Sequence, residues 1–201
     1  MRAPEGPTLR GEFARKGIHL ATASIPVAWA FGWVTAFQVR IALGAAVLVA
    51  LGVEFARHRG GAFGAAFATR LGPMLRGHER TALSGATWLA MGMWGAAMLA
   101  PAVAATAALW AAAVGDAAAA LVGRGVQRLR ARPAGTKSVS GSLAAASLST
   151  LGILWLTPAT LGVAGTLGLV TALAEWPRRP GDDNVRIAFS VAAAAVLLGL
   201  R

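Results

Sequence analysis

Residues 101–124 read "PAVAATAALWAAAVGDAAAALVGR", a run of alanine, valine and leucine with one carboxylate, Asp116, inside it. About 20 predominantly apolar residues carry an α-helix through the hydrocarbon core of a bilayer. The spacing therefore predicts a transmembrane helix, and the acid within it becomes the question. An aspartate at the centre of a span costs roughly 2.5–3.5 kcal/mol on insertion scales, so such residues face the bundle interior and mark functional sites. Its neighbours on that face, Ala119, Ala120 and Gly123, are small and leave space for a second helix or a ligand. The plainer alternative is a structural pairing of Asp116 with an arginine.

The rest of the 201-residue chain has the same character: 56% of residues are hydrophobic and 13% charged, with a mean hydropathy of +0.60. A soluble domain carries about 25% charged residues, so the composition is that of a membrane protein. The formal net charge of +11 follows the positive-inside rule, and no nucleic-acid partner is expected. Without cysteine, neither a disulfide framework nor a thiolate nucleophile exists. The length predicts one transmembrane domain over residues 1–201 without a separate soluble lobe.

Seven apolar segments are long enough to span, at roughly 17–36, 38–56, 81–99, 101–123, 139–157, 159–176 and 184–200. The expected fold is thus all-α and polytopic. With the N-terminus in the cytoplasm, every Lys and Arg but Arg40 and Arg201 falls inside, which places the C-terminus outside. Trp33 and Trp155 then fall near the outer interface and Trp176 near the inner one. All the acids, from Glu5 to Asp183, gather toward the cytoplasmic side. Between the second and third spans, "GGAFGAAFATRLGPMLRGHER" (60–80) repeats Phe63, Phe67 and Leu71 at every fourth position, with Arg70 and Arg76 pointing elsewhere. That pattern predicts an amphipathic helix on the inner leaflet.

Four stretches besides Asp116 carry polar residues with chemical potential. In "GEFARKGIHLA" (11–21), Glu12, Arg15, Lys16 and His19 stand at offsets of three, four and seven and share one helical face. That face either anchors the helix at the interface or turns inward and presents cations to phosphates. "VEFARHR" (53–59) places Glu54 with Arg57 and His58 by the same spacing. After the basic loop 123–135, "TKSVSGSLAAAS" opens the fifth span with Lys137, Ser138, Ser140, Gly141 and Ser142. Free N–H groups at a helix start, with a lysine and hydroxyls, hold phosphate, while Ser138 or Ser140 as a simple N-cap explains the serines equally. Glu175 closes the sixth span, and Asp182, Asp183 and Asn184 open the seventh. These are either helix caps or oxygen ligands suited to Mg²⁺. No P-loop, protein-kinase motif set or H-E-x-x-H is present.

Five of these pieces, "GEFARKGIH", "LRGHERTALSGATWLAMG", "GDAAAALVGR", "TKSVSGSLA" and "EWPRRPGDDN", resemble in content and order the motifs of the integral-membrane CTP-dependent lipid-alcohol kinases: dolichol kinase, phytol kinase and the CTP-dependent diacylglycerol kinase. The resemblance implies transfer of the γ-phosphate of CTP, with Mg²⁺, to a lipid hydroxyl at the cytoplasmic face. The acceptor would be an isoprenoid alcohol such as phytol, geranylgeraniol or a polyprenol, or else diacylglycerol. Ser140 stands where the family often has a glutamate. Bacterial members of the family are often labelled phosphatidate cytidylyltransferases, and that CTP-using enzyme is the alternative reading, although its acid-rich C-terminal signature is missing here.

Phosphoryl transfer needs in-line positioning and charge neutralisation more than covalent chemistry from the protein. The expected catalytic residues are accordingly Asp116, Lys137 and Asp183. Asp116, Asp182, Asp183 and Asn184 are candidate Mg²⁺ ligands, with Asp116 either base or metal ligand. The phosphates fall to Arg15, Lys16, His19, Arg124, Lys137, Ser138, Ser140, Gly141 and Ser142. Glu12, Glu54, Glu79 and Glu175 stand in support. The expected partners are CTP, a lipid alcohol and membrane lipids, with a homodimer left open. A transporter is the rival from another class, but the inverted repeats such folds carry are not evident.

Overall fold

Alanine- and leucine-rich runs, five of them opened by hydroxyl or carboxylate caps, give ten α-helices among residues 9–129, 138–176 and 182–201, the residues that the computed structural model describes. Thr35, Ser84, Ser138, Thr160 and Asp182 each accept a backbone N–H from the first turn of the helix they open, which satisfies one of the donors a helix start leaves open. The chain runs α1 (Leu9–Thr22), α2 (Ser24–Ala30), α3 (Ala36–His58), α4 (Gly61–Arg70), α5 (Gly85–Leu99), α6 (Ala102–Trp110), α7 (Asp116–Leu129), α8 (Val139–Leu156), α9 (Leu161–Glu175) and α10 (Asp183–Leu197). Two 3₁₀ turns, Gly72–Met74 and Gly77–Arg80, lie between α4 and α5, and a π turn, Ala111–Gly115, joins α6 to α7. The described residues contain no strand.

The alanine-rich stretch around Asp116 forms the centre. Every residue from Ala104 to Ala119 except Trp110 is buried, and α1, α2, α5, α8, α9 and α10 all pack on the α6–π–α7 segment. Alanine permits this, because small side chains let helix backbones approach closely. The small face beyond Asp116 is filled by a helix: Gly141 of α8 lies against Ala119 and Gly123, and a Cβ built on Gly141 would meet the Ala119 carbonyl oxygen at 2.7 Å.

Outside this centre the large apolar residues point outward. Phe37, Ile41, Leu48 and Phe55 of α3, Leu143 and Leu151 of α8, and Leu161, Leu169 and Leu173 of α9 are all exposed. Soluble proteins rarely leave such continuous apolar surface uncovered. Three helical segments, Ala36–His58, Ala102–Val126 and Val139–Leu156, are long and apolar enough to cross a membrane. Trp33 and Trp155 come together through Phe31, whose ring lies 5.7 Å and 5.6 Å from theirs, while exposed Trp176 stands at the far end of α9.

The first apolar segment departs from expectation. It is a pair of helices broken at Thr22–Ala23, beginning at Leu9 rather than near residue 17 and ending at Ala30 rather than 36. Pro26 explains the break, since it lacks the N–H that would bond the Thr22 carbonyl. The amphipathic helix expected after the second span is α4. Phe63 and Phe67 lie along one side of it, 6.4 Å apart, and none of its residues is buried.

Two glycines of α9 test the packing. A Cβ on Gly168 would meet the Ala146 carbonyl oxygen at 2.5 Å, whereas one on Gly165 would meet nothing within 4 Å. Alanine gains about 0.8–1.0 kcal/mol over glycine in a helix, and overpacking costs about 1–3 kcal/mol. Gly165→Ala should leave the thermal midpoint in detergent unchanged or raised, and Gly168→Ala should lower it. Equal midpoints would mean that α8 and α9 do not pack this closely.

Candidate functional site

The polar face of α1 turns inward. Glu12, Arg15, Lys16 and His19 are 3%, 5%, 1% and 0% exposed, so interfacial anchoring does not describe them. Each meets a charged side chain from another element. The Lys16 ammonium donates to Asp116 Oδ2, and His19 Nδ1 lies 3.2 Å from that same oxygen. Arg15 Nη1 donates to Glu79 Oε1 at 3.1 Å. Arg124 Nη2 is 3.3 Å from Glu12 Oε2. One helix face thus gathers the middle of the central helix, its later turn at Arg124 and the connection before α5.

Glu54 and Glu79, expected in support, organise that connection. Glu54 Oε1 accepts from the Ser84 N–H and the Thr87 hydroxyl, both at 2.8 Å, and its Oε2 accepts from Arg57 Nε at 2.5 Å. Arg57 Nη2 then donates to the carbonyls of Glu79 and Ala82 at 2.8 and 2.5 Å. Glu79 accepts the N–H groups of Arg76 and Gly85 at 2.8 and 3.1 Å. The carboxylates therefore add to the 3₁₀ turn at Gly77–Arg80, taking the backbone N–H groups of Arg76, Ser84 and Gly85.

Arg76, expected to point away, is instead drawn inward. Burial opposes its charge, but Asp183, Asp116, Glu79 and Glu12 outweigh that cost and hold its guanidinium above the ordinary value. Sequence periodicity assigns it to the polar side of an interfacial helix. That helix ends at Arg70, and the two 3₁₀ turns re-aim the chain from Gly72 to Arg80. The signal for this in the sequence is Glu79, three residues on, whose carboxylate takes the Arg76 N–H.

At the start of α10, Asp182 is a cap: its Oδ1 accepts from the Asn184 N–H at 2.9 Å and from Asn184 Nδ2 at 2.6 Å. Burial first, and then neighbouring Asp183, pushes the Asp182 carboxyl above its usual range. Asn184 is wholly buried and reaches the Gly85 carbonyl at 3.2 Å, while its Oδ1 has no hydrogen-bond partner. Glu175 is buried at the end of α9, where Arg186 donates to the Ala174 carbonyl. Among the described residues, no three or more acids and histidines group to hold a metal, so Asp116, Asp182 and Asp183 do not converge as one ligand set.

Ser138 caps α8, its Oγ accepting from the Gly141 N–H at 3.1 Å and lying 3.3 Å from Ser140 Oγ. Ser142 is partly buried in the same turn. Gly141 serves the close crossing with α7. Lys137, expected on the phosphates, lies outside the described residues.

What remains open is chemically informative. Arg15 Nε and Nη2 and His19 Nε2 are buried without hydrogen-bond partners, beside the Lys16 ammonium. The Arg15 N–H donors left unmatched in this way are costly, and an anion is the ligand that would match them. Comparison with protein-family models finds no match, and comparisons with curated proteins and with solved structures find none.

Removing one partner of a buried ion pair typically costs about 3–5 kcal/mol because the other charge is stranded. Asp116→Asn and Lys16→Met should each lower the thermal midpoint in detergent, and the double variant should be less destabilised than the sum of the two. Additive losses would show that this pair does not hold α1 to the central helix.

Proposed function

We propose that this protein transfers the γ-phosphoryl group of CTP to the hydroxyl of a membrane lipid alcohol, releasing CDP and a lipid monophosphate at the cytoplasmic face. The observation that carries the reading is the convergence of the five stretches that resemble the CTP-dependent lipid-alcohol kinases. Arg15 of the first reaches Glu79 of the second, Lys16 reaches Asp116 of the third, Gly123 of the third lies against Gly141 of the fourth, and Asn184 of the fifth bonds Gly85 of the second. Residues as distant in the chain as Arg15 and Asn184 thus belong to one connected polar cluster.

The site suits phosphoryl transfer, which depends on positioning and on neutralising charge. Arg15 and Lys16 present buried cations to the nucleotide phosphates, and Arg76 adds a third beside them. Mg²⁺ is commonly held by one or two carboxylates together with substrate phosphates and waters, and the residues here fit that mode. Asp183 and the unpartnered Asn184 Oδ1 would hold the ion, which would supply further neutralisation of the phosphates. Asp116 already bonds Lys16 and faces His19, which supports an orienting role for it over ligation.

In this reading the helices form seven spans with the N-terminus inside: the broken α1–α2, then α3, α5, α6–α7, α8, α9 and α10. Helices of 15 residues such as α5, α9 and α10 are about 22 Å long, so the bilayer thins around them. The Trp33–Phe31–Trp155 group sits at the outer interface, and α4 lies on the inner leaflet.

The test is the purified chain in nanodiscs, supplied with Mg²⁺ and CTP and a panel of isoprenols, polyprenols and diacylglycerol. The expected products are CDP and a lipid monophosphate. Pyrophosphate and a CDP-lipid formed from phosphatidate would replace the kinase by the cytidylyltransferase. No turnover of any lipid would overturn both.

A further inference from the structure

His19 is fully buried, with Nδ1 3.2 Å from Asp116 Oδ2 and Nε2 sealed from solvent without a hydrogen-bond partner. A core histidine kept for packing alone finds partners for its ring nitrogens, because leaving a buried polar group bare costs about 1–3 kcal/mol. Here neither ring nitrogen has a hydrogen-bond partner of regular geometry: Nδ1 faces the Asp116 carboxylate at 3.2 Å, and Nε2, on the opposite edge, faces none. That neighbour favours the hydrogen on Nδ1 and leaves the Nε2 lone pair presented.

Depth separates His19 from the cations on the same face. At 1.5 Å per residue, it lies about 4.5 Å beyond Lys16 and about 6 Å beyond Arg15 along α1. One turn further on, Ala23 packs in an apolar cluster with Ala113 and Val114. Glu12 and Arg15 lie toward the other end, with Arg124 and Glu79. His19 therefore stands where the charged cluster gives way to alanine and valine. In the kinase reading Arg15 and Lys16 take the phosphates, which leaves His19, at the apolar end of the same face, for the lipid hydroxyl.

Resting on the kinase reading, we infer that His19 is the general base that accepts the proton of the lipid hydroxyl at Nε2, with Asp116 as a positioning residue acting through Nδ1. In the step the lipid O–H bond breaks and its proton passes to Nε2. The alcohol oxygen forms a bond to the γ-phosphorus of CTP. The bond from that phosphorus to the β,γ-bridging oxygen breaks, CDP departs, and His19 returns its proton to water. Asp116 serves two neighbours at once, holding the Lys16 ammonium by the phosphates and facing the imidazole at the hydroxyl.

The experiment compares two acceptors in nanodiscs with CTP and Mg²⁺: a primary lipid alcohol and its analogue fluorinated beside the hydroxyl, whose more acidic proton needs less help to leave. General-base assistance is typically worth about 10²–10⁴-fold. His19→Gln and His19→Ala should lose kcat on that scale with the ordinary alcohol and much less with the fluorinated one, with KM for CTP little changed. Asp116→Asn should show the same dependence on acceptor in weaker form. A near-wild-type KM for CTP shows that a variant is folded. Unchanged kcat, or an equal loss on both acceptors with a raised KM for CTP, would overturn the inference and make His19 a structural or phosphate-binding residue. The unaltered protein carries its own check, since base-assisted transfer is slower in D₂O under single-turnover conditions and equal rates would overturn it. Should the unaltered protein phosphorylate neither alcohol, it is the kinase reading that fails, and this inference with it.

Discussion

The ion pair between Lys16 and Asp116 is what makes the rest of this arrangement possible. Neither charge is tolerable alone at its depth: a lone aspartate in an alanine helix and a lone lysine on α1 would each face hydrocarbon or an apolar core. Joined, they fix α1 against the π turn of the central helix. Glu12 then comes within reach of Arg124, and Arg15 within reach of Glu79. Glu79 in turn holds the backbone at Arg76 and Gly85, and Gly85 accepts from Asn184 of α10. The polar site grows outward from one contact by successive satisfaction of buried charge.

The π turn gives that contact its place. Residues 111–115 insert a wider turn immediately before Asp116, and such turns recur at functional sites. Small residues, mostly alanine, fill it, so α8 and α9 approach closely. A Cβ on Gly115 would lie 2.6 Å from Ser149 Oγ and 2.7 Å from Thr171 Cγ2. With those helices pressed against one side of the turn, α1 takes another. The wider turn also shifts the register of α7, which continues on a face different from the one α6 would have set.

Much of this is written locally in the sequence. The helix starts at Ser138, Thr160 and Asp182 carry their own caps, and the shared face of Glu12, Arg15, Lys16 and His19 comes from their spacing alone. Long apolar runs make an all-α chain readable. What spacing does not encode is which residue of another element each charge will meet. That Glu54 and Glu79 are spent on backbone N–H groups, or that Arg76 turns inward, depends on the path of residues 71–84, where the helix that the periodicity extends through Arg76 has already ended at Arg70. The break at Ala23 is legible in principle, because Pro26 leaves the Thr22 carbonyl without its donor. The apolar run around it conceals the break by satisfying the length of a span.

In the kinase reading, a donor dissolved in water must be brought together with an acceptor dissolved in hydrocarbon. P-loop enzymes surround phosphates with backbone N–H groups at a helix start, but the start of α8 is closed by its own serine. In the kinase reading, side-chain cations on α1 take over that task, which explains why they tolerate burial with donors unmatched. The same helix then runs from Glu12 at its charged end to His19 at the edge of the alanine core. In that reading, such a gradient along one helix would give each substrate a different depth at which its own phase ends. In that reading the two reacting groups meet beside Asp116, whose Oδ2 contacts both Lys16 and His19.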